Sequence, residues 1–570
     1  MRVSSSPRHR YGYFIAALAA TSLVLAACSS SPSSSGNAGG IKSGGSLTFA
    51  LDEDVAGFNP LFADDNEFVL AEIQDQVYPQ IFVVQPSLKP KLNTEIVTSA
   101  KVTSTSPQTV VYNINPKATW SDGTPINASD FIYNWQAQSG SPKYKDVGGK
   151  AFIPATTSGY NQVQSVTGSN GGKTVTVVFT KPFGDWKALF SPLIPAHIAQ
   201  KVGFNGGFQT FGAAAKVSGG PYEIQSYTKG ENLVEVRNPH YWGPRGKLSK
   251  IIFRFILDDS QAPPAVQNGE ANMVNPALAS TAFYDAVKGI PNFTTKVLPG
   301  LEFQHMDFNE SNPYLAKLGI RQAIAYGTNR QQMVTRIVSP LNPHPAIGPL
   351  ANRIYMPTQP QFQNTGGALG SYDPAKAKSL LKAAGMTMGP DGYFQPNFGP
   401  EKGKDFTISI STTSGVPVRA QIEQLLQADM KTIGVKLDIK NYDAATLFGT
   451  VGPKGEFDII EFAWVNSPFV SGNQPIYCSF TNTAVCGENW DHYANPKVDS
   501  LLNQALATVS TSKAQVLYNQ IDTILWKDMV TLPLFQQPQL FGWSSTYGNV
   551  IPNTSSTGIP WNANEWGLKG

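Results

Sequence analysis

Hydrophobic and polar positions along the chain indicate alternating strands and helices, most regularly beyond residue 370. Apolar residues at helical spacing predict helices at 374–384, at 417–433 and from 496 onward. β-branched, alternating or short apolar segments predict strands at 47–51, 174–179, 251–256, 406–410, 435–439 and 457–462. Because strand, helix and strand follow one another in the second half, the pattern favours crossover units and therefore an α/β fold.

The chain begins with a segment that has the pattern of an export signal. Three Arg residues in the first ten positions precede an apolar run at 13–27, which is too short for an ordinary membrane span. The run ends in Leu-Ala-Ala-Cys28, which resembles the lipobox of bacterial lipoproteins. We therefore predict a signal peptide at 1–27 and a lipid on the Cys28 thiol, with an ordinary secreted protein as the alternative. Residues 28–46, rich in Ser and Gly, are predicted to form a flexible tether.

The charge balance changes once this signal is set aside. The 570-residue chain has 43 basic and 40 acidic residues, and the signal holds three of the basic residues and none of the acidic ones. The mature protein is therefore formally neutral, which argues against the strong basic patch of a nucleic-acid-binding protein. A lipid, rather than basic charge, is expected to hold it at the membrane.

Cysteine and histidine suggest little reactive chemistry. Outside the cytoplasm we expect Cys478 and Cys486 to form a disulfide bond; two buried thiols are the alternative. No two of the six His residues have the spacing of metal ligands, so neither a metal site nor a cofactor is predicted. The sequence also lacks a Gly-x-Ser-x-Gly nucleophile motif and a complete phosphate-binding loop. We therefore predict no catalytic residue and expect that the protein is not an enzyme.

Seven short segments, in matching order along the chain, resemble the extracellular solute-binding proteins of peptide and nickel ABC transporters, known as solute-binding family 5. The resemblance spans about residues 46–540. The segments are Phe-Asn-Pro at 58–60, Trp-Ser-Asp-Gly-Thr-Pro with Ala-Ser-Asp-Phe at 120–131, Gly-Pro-Tyr at 220–222, Arg-Asn-Pro-His-Tyr-Trp at 237–242, Arg-Gln-Ala-Ile-Ala-Tyr with Asn-Arg at 321–330, Tyr-Asp-Pro-Ala-Lys-Ala at 372–377 and Tyr-Ala-Asn-Pro-Lys-Val-Asp at 493–499.

This resemblance implies a type II periplasmic-binding fold, an α/β clamp of two lobes with the first lobe split into two subdomains. Ligand contacts with both lobes favour the closed state, which then docks on the membrane permease subunits of the importer. We expect a monomer on the outer face of the bacterial membrane. The predicted boundaries are 47–95, 210–305 and 535–570 for lobe I, 96–209 for its subdomain and 306–534 for lobe II.

The resemblance also implies where the ligand sits. In peptide-binding relatives, a strand-end segment similar to residues 457–469 pairs with the peptide backbone and stacks an aromatic ring on it. This similarity assigns backbone contacts to Ala463, Val465 and Asn466 and the stacking ring to Trp464. Packing in the core is the alternative role of Trp464.

The acid that pairs with the peptide ammonium in such relatives is missing here. Ser467 occupies its position, and a neutral hydroxyl cannot supply a charge-assisted hydrogen bond. Either the ammonium is bound elsewhere in the site or the ligand has no free amino terminus. Asp54 is a candidate substitute; a solvated turn carboxylate is its alternative role.

An oligopeptide receptor is therefore the first hypothesis. The alternative within the same class is a receptor for another solute, such as a modified peptide, a glycan, a metal chelate or haem. A surface hydrolase is a second alternative, from a different class of protein.

Overall fold

The computed structural model describes residues 40–481 and 486–570. The predicted signal peptide, the predicted lipidation site Cys28 and most of the predicted tether lie outside the described residues. Contacts group the chain from Ile41 onward into one compact unit. Within the described ranges, none of the helices combines the length and the apolar character needed to cross a membrane.

The helix predicted at 417–433 shows how local sequence defines an element. It begins at Pro417, whose fixed φ suits the first turn, and it ends before Gly434, which adopts a left-handed φ of 80°. Residues four positions apart on one face are buried, so this face packs into the core: Val418, Ile422, Leu426 and Met430.

The helices and strands have the following bounds. The α-helices are α1 (Phe68–Gln74), α2 (Ala128–Gln138), α3 (Ala196–Val202), α4 (Ala262–Gln267), α5 (Thr281–Lys288), α6 (Leu318–Gly327), α7 (Arg330–Met333), α8 (Pro374–Ala383), α9 (Pro417–Ile433), α10 (Ala444–Thr446), α11 (Gln474–Tyr477), α12 (Pro496–Leu506) and α13 (Thr511–Asp528). The strands are β1 (Ile41–Lys42), β2 (Ser46–Leu51), β3 (Phe82–Val84), β4 (Pro90–Leu92), β5 (Val97–Thr105), β6 (Gln108–Ile114), β7 (Val163–Ser169), β8 (Thr174–Phe179), β9 (Tyr222–Thr228), β10 (Asn232–Arg237), β11 (Lys250–Phe255), β12 (Met273–Val274), β13 (Phe293–Phe308), β14 (Met386–Met388), β15 (Phe394–Pro396), β16 (Thr407–Ser411), β17 (Lys436–Ile439), β18 (Ile459–Val465), β19 (Thr531–Ser544), β20 (Tyr547–Gly548) and β21 (Gly567–Lys569).

A mixed sheet of ten strands organises the molecule, in the order β17-β16-β18-β13-β19-β12-β2-β11-β10-β9. In its first half-sheet, formed by β2 and β9–β12, strand β2 is parallel to β11 and β12. In its second half-sheet, formed by β16–β18, strand β16 is parallel to β17 and β18. The long antiparallel strands β13 and β19 join the two half-sheets.

Separate hydrophobic clusters accompany the two half-sheets. One cluster draws mainly on residues 47–273 and 541–566, and another draws on residues 306–535. An antiparallel sheet of four strands, β5-β6-β8-β7, packs with α2 in the first cluster. The register between β13 and β19 is interrupted between Pro299 and Phe303, where β13 passes from one half-sheet to the other. The residue boundaries of the lobes stay predictions.

The strand predicted at 457–462 lies further along the chain, at Ile459–Val465. This shift places Ala463, Trp464 and Val465 inside a strand that is paired with β13. A disulfide bond joins Cys478 to Cys486, with their Cα atoms 5.5 Å apart.

Candidate ligand-binding site

Segments that follow the carboxyl ends of parallel strands meet between the two half-sheets. Asp52 and Glu53 follow β2, and residues 257–260 follow β11. From the second half-sheet, residues 413–419 follow β16 and lead into α9. Open α/β sheets bind ligands beyond the carboxyl ends of their strands, because loops from several strands converge there.

A large cavity of about 920 Å³ occupies this space. A small cavity of about 200 Å³ adjoins it, deeper against β13, β18 and β19. The two cavities share the lining residues Asp52, Glu53, Ala277, Leu278 and Arg419. Together they form one candidate site with walls from both half-sheets.

Three large apolar side chains at this site are unusually exposed. The exposed fractions are 63% for Leu257, 37% for Phe448 and 54% for Val465. Leu257 and Phe448 line the large cavity from opposite half-sheets, and Val465 lines the small one. Exposed apolar surface inside a cavity indicates ligand contact, since a ligand removes it from water.

The site is strongly acidic. Arg419 is the one basic side chain among the described residues that line either cavity. The acids lining the two cavities are Asp52, Glu53, Glu72, Asp258, Asp259 and Glu302. Among residues 40–481 and 486–570, no three His, Cys, Asp or Glu side chains are grouped so that they could hold a metal ion.

Burial raises the pKa values of most of these acids. Loss of hydration raises the pKa of Glu53 and of Glu302 to about 7, and the charges of Asp52 and Glu67 add to the effect at Glu53. Loss of hydration also raises the pKa of Asp259 to about 6, and that of Glu72 well above its usual value. The site therefore holds carboxyl groups that lack compensating charges.

Two of the predicted ligand contacts line the small cavity. Ala463 and Val465 pair with Gln304 and Glu302 across the β18–β13 ladder, and all four residues line this cavity. Their side chains share one face of the sheet, because alternate residues of a strand point to the same side.

Trp464 lies on the opposite face of β18. Its ring stacks on His305 with the ring centres 5.8 Å apart, and it contacts Phe462 and Trp490 at 4.9 and 6.0 Å. Its indole N–H is buried without a hydrogen-bond partner in the described part of the chain. These contacts are those of a packing residue, while its predicted role in ligand stacking stays a prediction.

Asn466 and Ser467 are engaged with neighbouring backbone. The Asn466 amide donates to the carbonyl oxygen of Arg353 at 2.9 Å and is buried. The Ser467 hydroxyl donates to the Phe469 carbonyl oxygen at 2.9 Å and accepts from the Phe469 N–H at 3.1 Å. Both side chains fix the turn that follows β18.

Asp54 is held by the turn between β9 and β10. Its carboxylate accepts from the Tyr227 hydroxyl at 3.1 Å and from the Gly230 N–H at 2.8 Å. The cavity-lining acids are its neighbours Asp52 and Glu53. Glu461 of β18 is fully buried and accepts from the Thr412 hydroxyl at 2.9 Å.

Sequence reasoning overlooked most of the charged lining. Asp52 and Glu53 come directly after a predicted strand, and this position is the signal that could have identified them. Arg419 stands in the first turn of a predicted helix that follows another strand. No local pattern marks Glu302, because it lies within β13, which was not predicted.

A sheet whose two halves are joined by two long antiparallel strands, with a cavity between the halves, defines a two-lobed solute-binding protein. Residues 91–484 match the family described as "Bacterial extracellular solute-binding proteins, family 5 Middle". The chain belongs to this family of solute-binding proteins of ABC importers, so the predicted family and fold class are confirmed.

Individual relatives agree with this assignment. The chain is 31% identical over 517 residues to the oligopeptide-binding protein OppA of Mycobacterium tuberculosis (strain ATCC 25618 / H37Rv), covering 89% of this chain and 83% of that protein. It is 26% identical to the structure of the periplasmic EDTA-binding protein EppA, with a TM-score of 0.85 over 95% of this chain and all of that one. The Bacillus subtilis oligopeptide-binding protein AppA, solved with a nonapeptide, shares the fold at 19% identity, with a TM-score of 0.76 and coverage of 93% and 100%.

Proposed function

We propose that this protein is the lipid-anchored, extracytoplasmic receptor of an ABC importer, and that it captures oligopeptides between its lobes for delivery to a membrane permease. The observation that carries the proposal is the pair of adjoining cavities, which is lined from both half-sheets. A ligand held there contacts both sides at once and therefore stabilises a closed arrangement. We also propose that the receptor acts as a monomer and without turnover of its ligand.

Peptide is the ligand class that the relatives support best. The 31% identical OppA is an oligopeptide-binding protein, and the likeness extends over most of both chains. Strand β18 brings Ala463 and Val465 to the small cavity, and the exposed Leu257 and Phe448 offer apolar surface for side chains. Pairing with main chain allows a receptor of this kind to accept many sequences.

Identification of the retained ligand tests the proposal. The full-length chain, purified from membranes in mild detergent without denaturation, is examined by native mass spectrometry before and after ligand release. We expect a set of added masses that fragment as peptides. A single recurrent mass that does not fragment as a peptide contradicts the peptide assignment and keeps only the receptor class.

A metal chelate is the second candidate ligand. The observation in its favour is the similarity to EppA, an EDTA-binding protein, which extends over the whole of that chain. The six acids of the lining are against it, since EDTA complexes carry further carboxylates and like charges repel. Titration with Fe(III)-EDTA and with peptides under the same conditions decides between the two.

The anchor is tested separately at the predicted lipobox. Cys28→Ala removes the thiol that carries the proposed lipid, so we expect the protein in the soluble fraction after cell disruption, whereas the unchanged chain sediments with membranes. Cys478→Ala with Cys486→Ala is the matched control, because it removes the cysteines of the folded unit, which form its disulfide bond, and leaves the lipobox intact. Membrane attachment of the Cys28→Ala protein contradicts the anchor.

A further inference from the structure

The wall of the small cavity combines apolar side chains with a group of polar ones that is rich in hydrogen-bond acceptors. Four carboxyl groups line it: Asp52, Glu53, Glu72 and Glu302. Three side-chain amides of the same wall, on Asn275, Gln304 and Gln539, have a buried oxygen without a hydrogen-bond partner among the described residues. Such a wall is incomplete in electrostatic terms, because buried acceptors need donors.

A chain of hydrogen bonds fixes the direction of the central amides. The Gln537 side-chain nitrogen donates to the Ala277 carbonyl oxygen and to a Glu302 carboxylate oxygen, both at 2.7 Å. Its amide oxygen therefore accepts, and the Gln304 nitrogen donates to it at 2.7 Å. The Gln304 oxygen is left over, and reversing this amide would set two oxygens against each other.

Two of these lining residues are almost completely buried. Gln304 is 0% exposed and Glu72 is 2% exposed, and each retains an oxygen without a partner in the described ranges. Glu302 lines the same cavity, and among the described residues its two carboxylate oxygens are bound by side-chain amides alone, those of Gln537 and Gln539. Neither an amide nor a water molecule supplies the positive charge that these carboxylates lack.

We propose that the small cavity binds a nitrogen cation of the ligand, an alkylammonium or guanidinium group, so that the receptor takes cationic peptides in preference to anionic chelates. This inference rests on the proposed peptide-binding function and names its substrate class. The cation donates hydrogen bonds to the unpartnered oxygens and balances the carboxylates of Glu72 and Glu302. The cavity also offers a substitute for the acid that Ser467 replaces, because its carboxyl groups can bind the peptide ammonium.

Arg419 gives the bound ligand a direction. It is the base shared by both cavities, and its Nε is buried without a partner in the described residues. A carbonyl or carboxylate oxygen next to the ligand cation can accept from this guanidinium. The cationic end then lies in the small cavity, and the rest of the peptide extends into the large cavity past Leu257 and Phe448.

The test compares four tripeptides by isothermal titration calorimetry with the full-length chain freed of ligand. The probes are Lys-Ala-Ala, Ala-Ala-Ala and the N-acetylated form of each, which differ in the number and origin of their cationic groups. We expect acetyl-Ala-Ala-Ala to bind about tenfold or more weakly than a probe with a cation, as for loss of a charge-assisted bond. If acetylation weakens binding and Lys has no effect, the α-ammonium is the bound cation. If Lys strengthens binding in the acetylated peptides as well, the Lys side chain is the bound cation.

Glu302→Gln supplies the decisive variant. It keeps the size of the side chain and removes the charge, so we expect the preference for cationic probes to shrink to less than about threefold. Glu270→Gln is the matched control, because Glu270 is an exposed acid, paired with Arg254 at 2.7 Å, that lines neither cavity. Circular dichroism of each variant verifies that it is folded.

Each contrary result has its own meaning. Equal binding of all four peptides, or an unchanged preference in Glu302→Gln, overturns the cation site and leaves the peptide receptor intact. Binding of none of the peptides overturns the proposed function together with this inference, whether or not Fe(III)-EDTA binds. Displacement of Lys-Ala-Ala by Ni²⁺ alone, lost in Glu302→Gln, overturns the inference in favour of a metal ion.

Discussion

Two buried charged regions of this protein are built in opposite ways. Arg353 is fully buried, and its guanidinium donates to Asp522 at 3.1 Å and to the hydroxyl and carbonyl oxygens of Thr531 at 2.7 and 2.5 Å. Asp522 also accepts from the Thr365 hydroxyl, and the Trp526 ring lies 4.5 Å from the guanidinium carbon. The small cavity, in contrast, gathers carboxyl groups and oxygens that have no hydrogen-bond partner in the described part of the chain, and Arg419 is the single base among its described lining residues.

This difference distinguishes a buried charge that stabilises the fold from buried charges that bind a ligand. Removing a charge from water costs several kcal/mol, and a protein offsets this cost only with a partner charge and complete hydrogen bonding. Around Arg353 the chain supplies these partners itself, which is the arrangement expected of a structural element. In the small cavity residues 40–481 and 486–570 do not supply such partners, which is the arrangement expected of a site whose partner is the ligand.

The largest expected effect comes from breaking the buried ion pair of Arg353 and Asp522. Asp522→Ala leaves the buried Arg353 without its counter-charge, so we expect the free energy of unfolding to fall by about 3–5 kcal/mol, measured by urea denaturation. The double variant Arg353→Met with Asp522→Leu is expected to lose less, because no charge is left unpaired. If Asp522→Ala costs no more than Glu302→Gln does, the two regions do not differ as described.

The next effect concerns Trp464, which stands beside the small cavity but on the other face of β18. Because its ring packs on His305, Phe462 and Trp490, we expect Trp464→Ala to lower the free energy of unfolding by about 2–4 kcal/mol and to change peptide affinity by less than about threefold. Val465→Ala is the matched control from the cavity face of the strand. A large loss of affinity with unchanged stability would instead support the predicted stacking of Trp464 on the ligand.

Much of the fold could be predicted from sequence because its elements have local signals. Helix α9 has a Pro start, a Gly end and apolar residues on one face, and strand β8 is a run of β-branched residues. The long strands β13 and β19 escaped prediction for a physical reason. Strand β19 is buried on two faces over nearly its whole length, β13 is buried mainly from Pro299 onward, and both are interrupted by Pro, so neither shows the alternation of a half-exposed strand.

The site was harder to predict than the fold. The resemblance to relatives located β18, and Ala463 and Val465 do line the small cavity. The acids of that cavity come from three distant parts of the chain, around residues 52, 72 and 302, and only tertiary structure brings them together. The acids at 52–54 look alike in the sequence, and their surroundings differ only through distant residues such as Tyr227 and Gly230, which bind Asp54.

The smallest expected effect is a pH dependence that appears in the small cavity and follows from the raised pKa values. Glu53 and Glu302 have pKa values of about 7 in the folded protein, against an ordinary value of 4.5. The ligand-free folded state therefore holds protons that the unfolded state releases. The stability that these bound protons contribute is complete below pH 4.5 and is lost as the pH rises through about 7. The Glu302→Gln protein lacks one of these titrating groups, so its stability relative to the unchanged chain should rise between about pH 5 and pH 8.

Binding of a cation reverses this balance, because it favours the ionised carboxylates. The affinity for Lys-Ala-Ala should therefore rise with pH from about 6 to 8, by at most about tenfold per pH unit for each proton displaced. Calorimetry in phosphate and in Tris reports the released protons directly, because the two buffers differ in their heats of ionisation. Glu302→Gln should release fewer protons, whereas Glu270→Gln should release as many as the unchanged chain. Binding without proton release and with a flat pH profile would mean that these carboxylates are already balanced within the protein, as the charges around Arg353 are.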